Sequence, residues 1–235
     1  MAKKSGSKCV GIVGGLGPKT AFQFSQRIND RFTTIAKIQP DLLLENLPVS
    51  DEQLEKMVKG EPCPEIVELM LDSVRKLNSA GVNLIAIPCN TVHVFIEPLR
   101  KASTTPILSI IEETAKICKE KKLITVGILA SNTTIKQKLY SNELGNLGIK
   151  TIIPSEEEQN KINEIIYRIN RNKSTLEDKN LLLEITRSLS EEGADTVVLA
   201  CTDLQQIVSA EDTTAPLLDS FAILEEAVLD FLIGK

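Results

Sequence analysis

The sequence contains a single histidine, His93, among its 235 residues. A Ser-His-Asp triad would have to use it, and no GxSxG turn accompanies it, so hydrolysis of that type is not expected. No two cysteines form a CxxC pair. The four clustered ligands that a structural zinc site requires are also missing, so no metal site is predicted.

Long apolar runs and concentrations of positive charge are absent as well. No apolar stretch approaches the ~20 residues that would span a bilayer. Lysine and arginine number 27 against 32 acidic residues, and the net charge is −5. The basic N-terminal segment has no apolar signal core and no small-residue cleavage site. We therefore expect a cytoplasmic protein that binds neither membrane nor nucleic acid.

The five cysteines are an odd number, and a disulfide framework is not expected in a reducing cytoplasm. A cytosolic cysteine without a partner motif is usually a small buried hydrophobic residue. That interpretation applies to Cys9, Cys63 and Cys118. Cys89 and Cys201 differ, because each follows a buried strand and is followed closely by a threonine.

Strands alternate with helices in two halves that repeat the same order. Gly11 and Cys89 are 78 residues apart, and Gly127 and Cys201 are 74 apart. In both halves a Pro-Ile/Leu-Leu run and a helix follow the cysteine. This alternation predicts an α/β fold with a parallel sheet in each half. We place one domain at residues 1–119, together with a C-terminal helix at about 219–235, and the other at residues 120–218.

The two cysteines predict a particular chemistry if the halves face one another. Ligands of parallel sheets bind at the carboxyl ends of the strands, where both cysteines lie. Inversion of a stereocentre by proton transfer needs a base on one face and an acid on the other. A thiol, with an ordinary pKa of ~8.5, can serve as either. The alternative is that both are core residues, matched only because the gene duplicated.

Two neighbouring features have competing interpretations. The glycine turn at 14–17 does not satisfy G-x-G-x-x-G, so NAD or FAD is not expected. It is either a bare tight turn or a turn whose amides face a substrate carboxylate. His93 either satisfies a buried hydrogen bond or tunes the Cys89 thiolate.

Three stretches together resemble the aspartate/glutamate racemase family, in particular its aspartate racemase branch. They are Val10–Pro18 (VGIVGGLGP), Pro88–His93 (PCNTVH) and Ala200–Asp203 (ACTD). The resemblance implies a racemase that uses two cysteines and no cofactor, including no pyridoxal phosphate. It also implies two pseudo-symmetric Rossmann-like domains, each with a parallel sheet flanked by helices, an active site in the cleft between them, and a homodimer.

Site residues follow from the same resemblance. It implies that Cys89 and Cys201 are the catalytic pair. It implies substrate contacts from Gly15, Leu16, Asn46, Asn90, Thr91, Thr134, Arg171 and Thr202.

The chain departs from the aspartate branch at three positions. Glu52 stands where that branch has an arginine, Arg171 where it has a lysine, and Asp203 where it has a glutamate. The resemblance favours L- and D-aspartate, or glutamate, as the substrate, but the pocket for the side chain is altered. A related isomerase or decarboxylase of a small dicarboxylate or hydantoin, and an inactive carboxylate-binding homologue, remain as alternatives.

Overall fold

The computed structural model describes residues 8–17 and 19–235. Pro18, which the sequence predicts in the first turn of a helix, and the basic residues before Lys8 lie outside the described residues. The first half contains β1 (Cys9–Gly14), α1 (Thr20–Ala36), β2 (Asp41–Asn46), α2 (Asp51–Lys59), α3 (Pro64–Ser79), β3 (Leu84–Ala86), a 3₁₀ helix (Thr91–Phe95), α4 (Ile96–Ala102), β4 (Ile107–Leu108) and α5 (Ile110–Glu120).

The second half repeats this pattern of strands. It contains β5 (Thr125–Ala130), α6 (Asn132–Lys136), α7 (Leu139–Asn146), β6 (Lys150–Ile152), α8 (Glu156–Asn170), α9 (Leu176–Glu191), β7 (Thr196–Ala200), two 3₁₀ turns (Leu204–Gln206 and Ala210–Asp212), β8 (Leu217–Asp219) and α10 (Ser220–Ile233).

Each half forms a four-stranded parallel sheet with the same strand order. The orders are β2-β1-β3-β4 and β6-β5-β7-β8, and every strand pair is parallel. The predicted α/β fold with two matching parallel sheets is therefore confirmed. Because the sheets have the same order, β3 and β7, which precede the two cysteines, occupy equivalent central positions.

The sharp turn after β1 depends on glycine. Gly15 has a φ of 82°, and a Cβ atom at this position would overlap the carbonyl oxygen of Leu47. Only glycine meets both conditions without strain. The loop after β1 therefore lies directly against the loop after β2.

Helix α2 was not predicted from the sequence, although its end signals are present. Ser50 and Gln53 form a reciprocal capping box at its start, and Gly60 ends it with a φ of 79°. Its short and mostly polar sequence gives a weak apolar pattern, and Met57 is its only buried side chain.

Three hydrophobic clusters hold these elements together. The central cluster spans both halves, with Ile12 of β1, Ile128 of β5 and Phe221 of α10 among its members. The other two clusters lie on the outer face of one sheet each, under α3 in the first half and under α8 and α9 in the second. Because the central cluster is shared, separating the halves would expose apolar surface from both.

The C-terminal helix α10 packs against α1 and α5 of the first half. On this contact Glu225 is fully buried, with its carboxylate oxygens 2.7 Å from Arg27 Nε and 2.8 Å from Arg31 Nη1. The division into domains at residue 119 stays a prediction. Among the described residues, no helix combines the length and apolar character that crossing a membrane would need.

We expect Glu225→Ala to lower the free energy of unfolding by about 2 kcal/mol, because it removes the buried partner of two arginines that are themselves partly exposed. Urea denaturation measures this value. Glu226→Ala is the matched control, since Glu226 also pairs with Arg31 but its side chain is 54% exposed. Its expected cost is below about 1 kcal/mol. Equal losses in the two variants would contradict the role assigned to burial.

Candidate active site

Cys89 and Cys201 lie just beyond the carboxyl ends of β3 and β7, and both are buried, at 8% and 7% exposure. Their loops meet across the two halves. The hydroxyl of Thr202 donates to the carbonyl of Pro88 over 3.2 Å, so the residue after one cysteine binds the residue before the other. The structure thus brings the two predicted cysteines together where the Cys89 loop meets the Cys201 loop. We call this contact between the two halves the seam.

The Cys89 thiol lies in a closed environment. Its sulfur is 3.8 Å from the carbonyl oxygen of Leu16, which belongs to the glycine turn after β1. Burial raises the pKa of Cys89 to about 12, although the backbone amides of Val92 and Thr91 favour the thiolate. The neutral thiol therefore predominates in this closed form.

The Cys201 thiol is buried in the same way, and its pKa is raised as well. Burial raises the pKa of Cys201 well above its usual value, and the negative charge of Asp203 raises it further. The amides of Asp203 and Leu204 act in the opposite direction. A thiolate at Cys89 would raise this pKa still further.

Asp203, two residues after Cys201, carries a buried carboxyl group. It accepts hydrogen bonds from Thr20 Oγ1 at 3.0 Å and from Gln206 Nε2 at 3.2 Å. Burial raises the pKa of Asp203 to about 6, against the effect of these donors and of Asn170. Its negative charge raises the pKa of both thiols.

A chain of hydroxyl groups crosses the seam beside the cysteines. Thr91 Oγ1 lies 2.8 Å from Ser131 Oγ, which lies 3.1 Å from Thr134 Oγ1. All three residues are buried, as is Thr202. The predicted contacts Thr91, Thr134 and Thr202 are therefore close to the seam. Ser131, which joins two of them, was missed, although it directly follows a strand.

Asn90 is also buried, but its side chain is bound within the protein. Tyr140 donates its hydroxyl proton to Asn90 Oδ1 over 2.6 Å, and Asn90 Nδ2 donates to Ser220 Oγ over 3.0 Å. Ser220 donates in turn to the carbonyl of Leu199. This chain ties α7, the Cys89 loop and α10 together. Contact of Asn90 with a substrate stays a prediction, and nothing in the sequence pointed to Tyr140.

His93 satisfies buried hydrogen bonds, as one of its two interpretations held. Its Nε2 accepts from the amide of Ile110 at 3.2 Å, so Nδ1 carries the proton that is donated to the carbonyl of Cys89 at 2.8 Å. Burial lowers the pKa of His93 to about 4. The neutral ring therefore positions the backbone of Cys89.

The remaining predicted residues lie around the edge of the site. Leu16 is buried and contacts Cys89 through its carbonyl, and Gly15 precedes it in the turn. Asn46 ends β2 beside Gly14 and is exposed. Arg171 directly follows α8, where its guanidinium stacks on the Tyr167 ring at 3.5 Å.

Helix α2 lies across the seam next to these residues. Its carbonyl groups bind the second half: Asn132 Nδ2 donates to the Lys59 carbonyl at 3.0 Å, and the Thr133 hydroxyl donates to the Met57 carbonyl. Met57 packs in the outer cluster of the first half, whereas Val58 packs against that of the second. The helix therefore bridges the two halves over the seam.

The model of the Asp/Glu/Hydantoin racemase family matches residues 13–228 of this sequence. The chain belongs to this family. It is 27% identical over 232 residues to the broad specificity amino-acid racemase RacX of Bacillus subtilis, with 94% of this chain and 96% of that protein covered.

Solved structures share the fold. The Picrophilus torridus aspartate racemase superposes with a TM-score of 0.78 at 24% identity, covering 97% of this chain and 95% of that one. Glutamate racemase from Francisella tularensis superposes with a TM-score of 0.65 at 14% identity, covering 97% and 81%. The resemblance seen in the sequence, with its two-domain α/β fold, is confirmed.

Because His93 is the only histidine, its titration can be followed without ambiguity. We expect its imidazole NMR signals to stay those of the neutral ring from pH 8 down to about pH 5, with a midpoint near 4. An unfolded histidine titrates near 6.5, so its contribution to stability is present above that pH and is lost as pH falls toward 4. A midpoint of 6 or higher in the folded protein would contradict the hydrogen-bonding assignment.

Proposed function

We propose that this family member is an amino-acid racemase that uses no cofactor and in which Cys89 and Cys201 are the opposed base and acid. The observation that carries the proposal is the matched placement of the two thiols after equivalent strands, buried at one seam. Other uses of a buried cysteine do not require such a pair.

The proposed reaction moves two protons and leaves the composition of the substrate unchanged. The thiolate of one cysteine removes the α-proton and becomes a thiol, leaving a carbanion at Cα. The thiol of the other cysteine then donates its proton to the opposite face and becomes a thiolate. The roles are exchanged for the reverse direction, so each enantiomer uses a different cysteine as base.

The polar groups of the seam support the binding of an amino-acid carboxylate. Hydroxyls of Thr91, Thr134 and Thr202 lie there, and the amides that follow each cysteine favour its thiolate. Such donors hold a carboxylate and stabilise the charge that develops on it as the α-proton leaves.

The raised pKa values of the thiols agree with a base that forms only when substrate is bound. In the closed protein burial suppresses the thiolate, and the negative charge of Asp203 adds to the effect. A bound α-ammonium group brings a positive charge into the same space, and a nearby positive charge favours the thiolate. The substrate thereby helps to create its own base.

Access to the thiols requires movement, because neither is more than 8% exposed. Helix α2 bridges the halves over the seam through a few polar contacts. We infer that α2 separates from the second half while substrate enters and then closes over the bound substrate, which restores its contacts with the second half.

The amino acid that is turned over is a separate question. The resemblance favours aspartate or glutamate, which would need a cation for their second carboxylate, and Arg171 is the predicted residue for that role. The similar Bacillus subtilis protein is named for broad specificity. Whether Arg171 can bind a side-chain carboxylate of the substrate therefore depends on the groups around it.

We expect Cys89→Ser and Cys201→Ser each to reduce racemisation by about 100-fold or more, because a serine hydroxyl is a far weaker acid and its alkoxide is not formed near neutral pH. The measurement is proton NMR in D₂O, following the α-proton of each D- and L-amino acid separately. Each variant should retain at most the exchange of the enantiomer whose α-proton faces the remaining thiol.

Cys63→Ser is the matched control, because Cys63 lies at the start of α3 and serine is favoured there. It should keep normal turnover. Undiminished racemisation in either seam variant would overturn the two-thiol mechanism. An absence of α-proton exchange with every amino acid, with free thiols verified, would favour a hydantoin or dicarboxylate enzyme or an inactive binding protein.

A further inference from the structure

Arg171 faces two carboxylates on the helix that covers the seam. Its Nη2 atom lies 3.9 Å from Asp51 Oδ2 and 3.9 Å from Glu55 Oε2, both on α2. The face of its guanidinium is covered by the Tyr167 ring. Two protein carboxylates therefore flank the guanidinium at ion-pair distance, and an aromatic ring covers its plane.

This cluster is joined to the site through the residue before it. The Asn170 side chain lies close enough to Asp203, two residues after Cys201, to lower the pKa of its carboxyl group. Asn170 and Arg171 also line a small gap between α2 and α8, together with Leu54 and Val58. The arginine thus directly follows a residue whose side chain acts on Asp203, close to Cys201 in the chain.

The two cations of α2 itself are paired as well. Lys56 lies 2.7 Å from Glu52, and Lys59 lies 2.7 Å from Glu55. The adjoining cleft, about 620 Å³ in volume, is lined by Glu55 and Glu164, by Lys59 and by several asparagines. In the part of the chain that the structure describes, each of these cations already has a carboxylate partner.

A side-chain carboxylate of the substrate would therefore be a third acid on Arg171. The carboxylates of Asp51 and Glu55 would repel it, because like charges that share one site repel. These two carboxylates also compete better for Arg171, because they are already in place and lose no translational freedom on binding it. An uncharged side chain meets no such repulsion. Glu52, where the resemblance implies an arginine, supplies no cation for such a carboxylate and is itself paired with Lys56.

We propose that Asp51 and Glu55 hold Arg171 away from the substrate, so that the site selects amino acids without a side-chain carboxylate. This inference rests on the proposed racemase function and names its substrate class. Asp51 and Glu55 are positioning residues, because they act through Arg171. Aspartate and glutamate are then poor substrates despite the resemblance to the aspartate branch.

The test measures kcat/KM for the twenty proteinogenic amino acids, by exchange of the α-proton in D₂O. The best substrate should lack a side-chain carboxylate and exceed aspartate and glutamate by at least about tenfold. Asparagine and glutamine are the isosteric comparisons. A preference for aspartate or glutamate would overturn this inference and leave the racemase proposal standing, whereas no exchange at all would overturn both.

The double variant Asp51→Asn/Glu55→Gln tests the mechanism of selection. It frees Arg171, so kcat/KM for aspartate, relative to that for the best substrate, should rise about tenfold or more. The control Asp72→Asn/Glu157→Gln removes the same charges from exposed surface pairs on α3 and α8 and should leave the ratio unchanged. If the ratio is unchanged in Asp51→Asn/Glu55→Gln, the role of Asp51 and Glu55 in selection is overturned. The circular dichroism spectra of this variant and of Asp51→Asn alone must be normal for this comparison.

Discussion

The arrangement of the site depends on the packing of two parallel sheets against one shared hydrophobic core. That core takes side chains from the central strands of both halves and from α10. Polar contacts then fix the two carboxyl ends relative to one another: Thr202 binds the Pro88 carbonyl, and Tyr140, Asn90 and Ser220 form a hydrogen-bonded chain between elements of both halves. Without this packing the two cysteines would belong to separate surfaces.

Burial at the seam has two opposite effects on the proposed chemistry. It suppresses the thiolate, since the pKa values of both thiols rise and Asp203 raises them further. It also excludes water, so that hydroxyls and amides interact strongly with charge that develops on a substrate. The same burial explains why His93 is neutral and why the bridge formed by α2 must open for a substrate to enter.

Helix α2 connects access and selectivity. Its carbonyl groups bind the second half, and its carboxylates hold Arg171. Arg171, which the resemblance aligns with a cation of the aspartate branch, is thereby paired with carboxylates of the protein itself. A pair of cysteines like that of the aspartate branch is thus compatible with a different preference for the substrate side chain. The reason is that the thiols and the cluster of Arg171, Asp51 and Glu55 are built from separate elements.

Much of this protein was readable from its sequence. The alternation of buried strands and helices, the repeated Cys-Thr elements and the glycine-ended strands determine two parallel sheets with a cysteine at the same place in each, since these features are local in the chain. Helix α2 escaped because it has one buried apolar residue and is held mainly by capping and by contacts between the halves. The engagement of Asn90 by Tyr140 and Ser220, the Ser131 bridge and the capture of Arg171 were decided only by the tertiary structure, because each joins residues far apart in the chain whose partners no local pattern specifies.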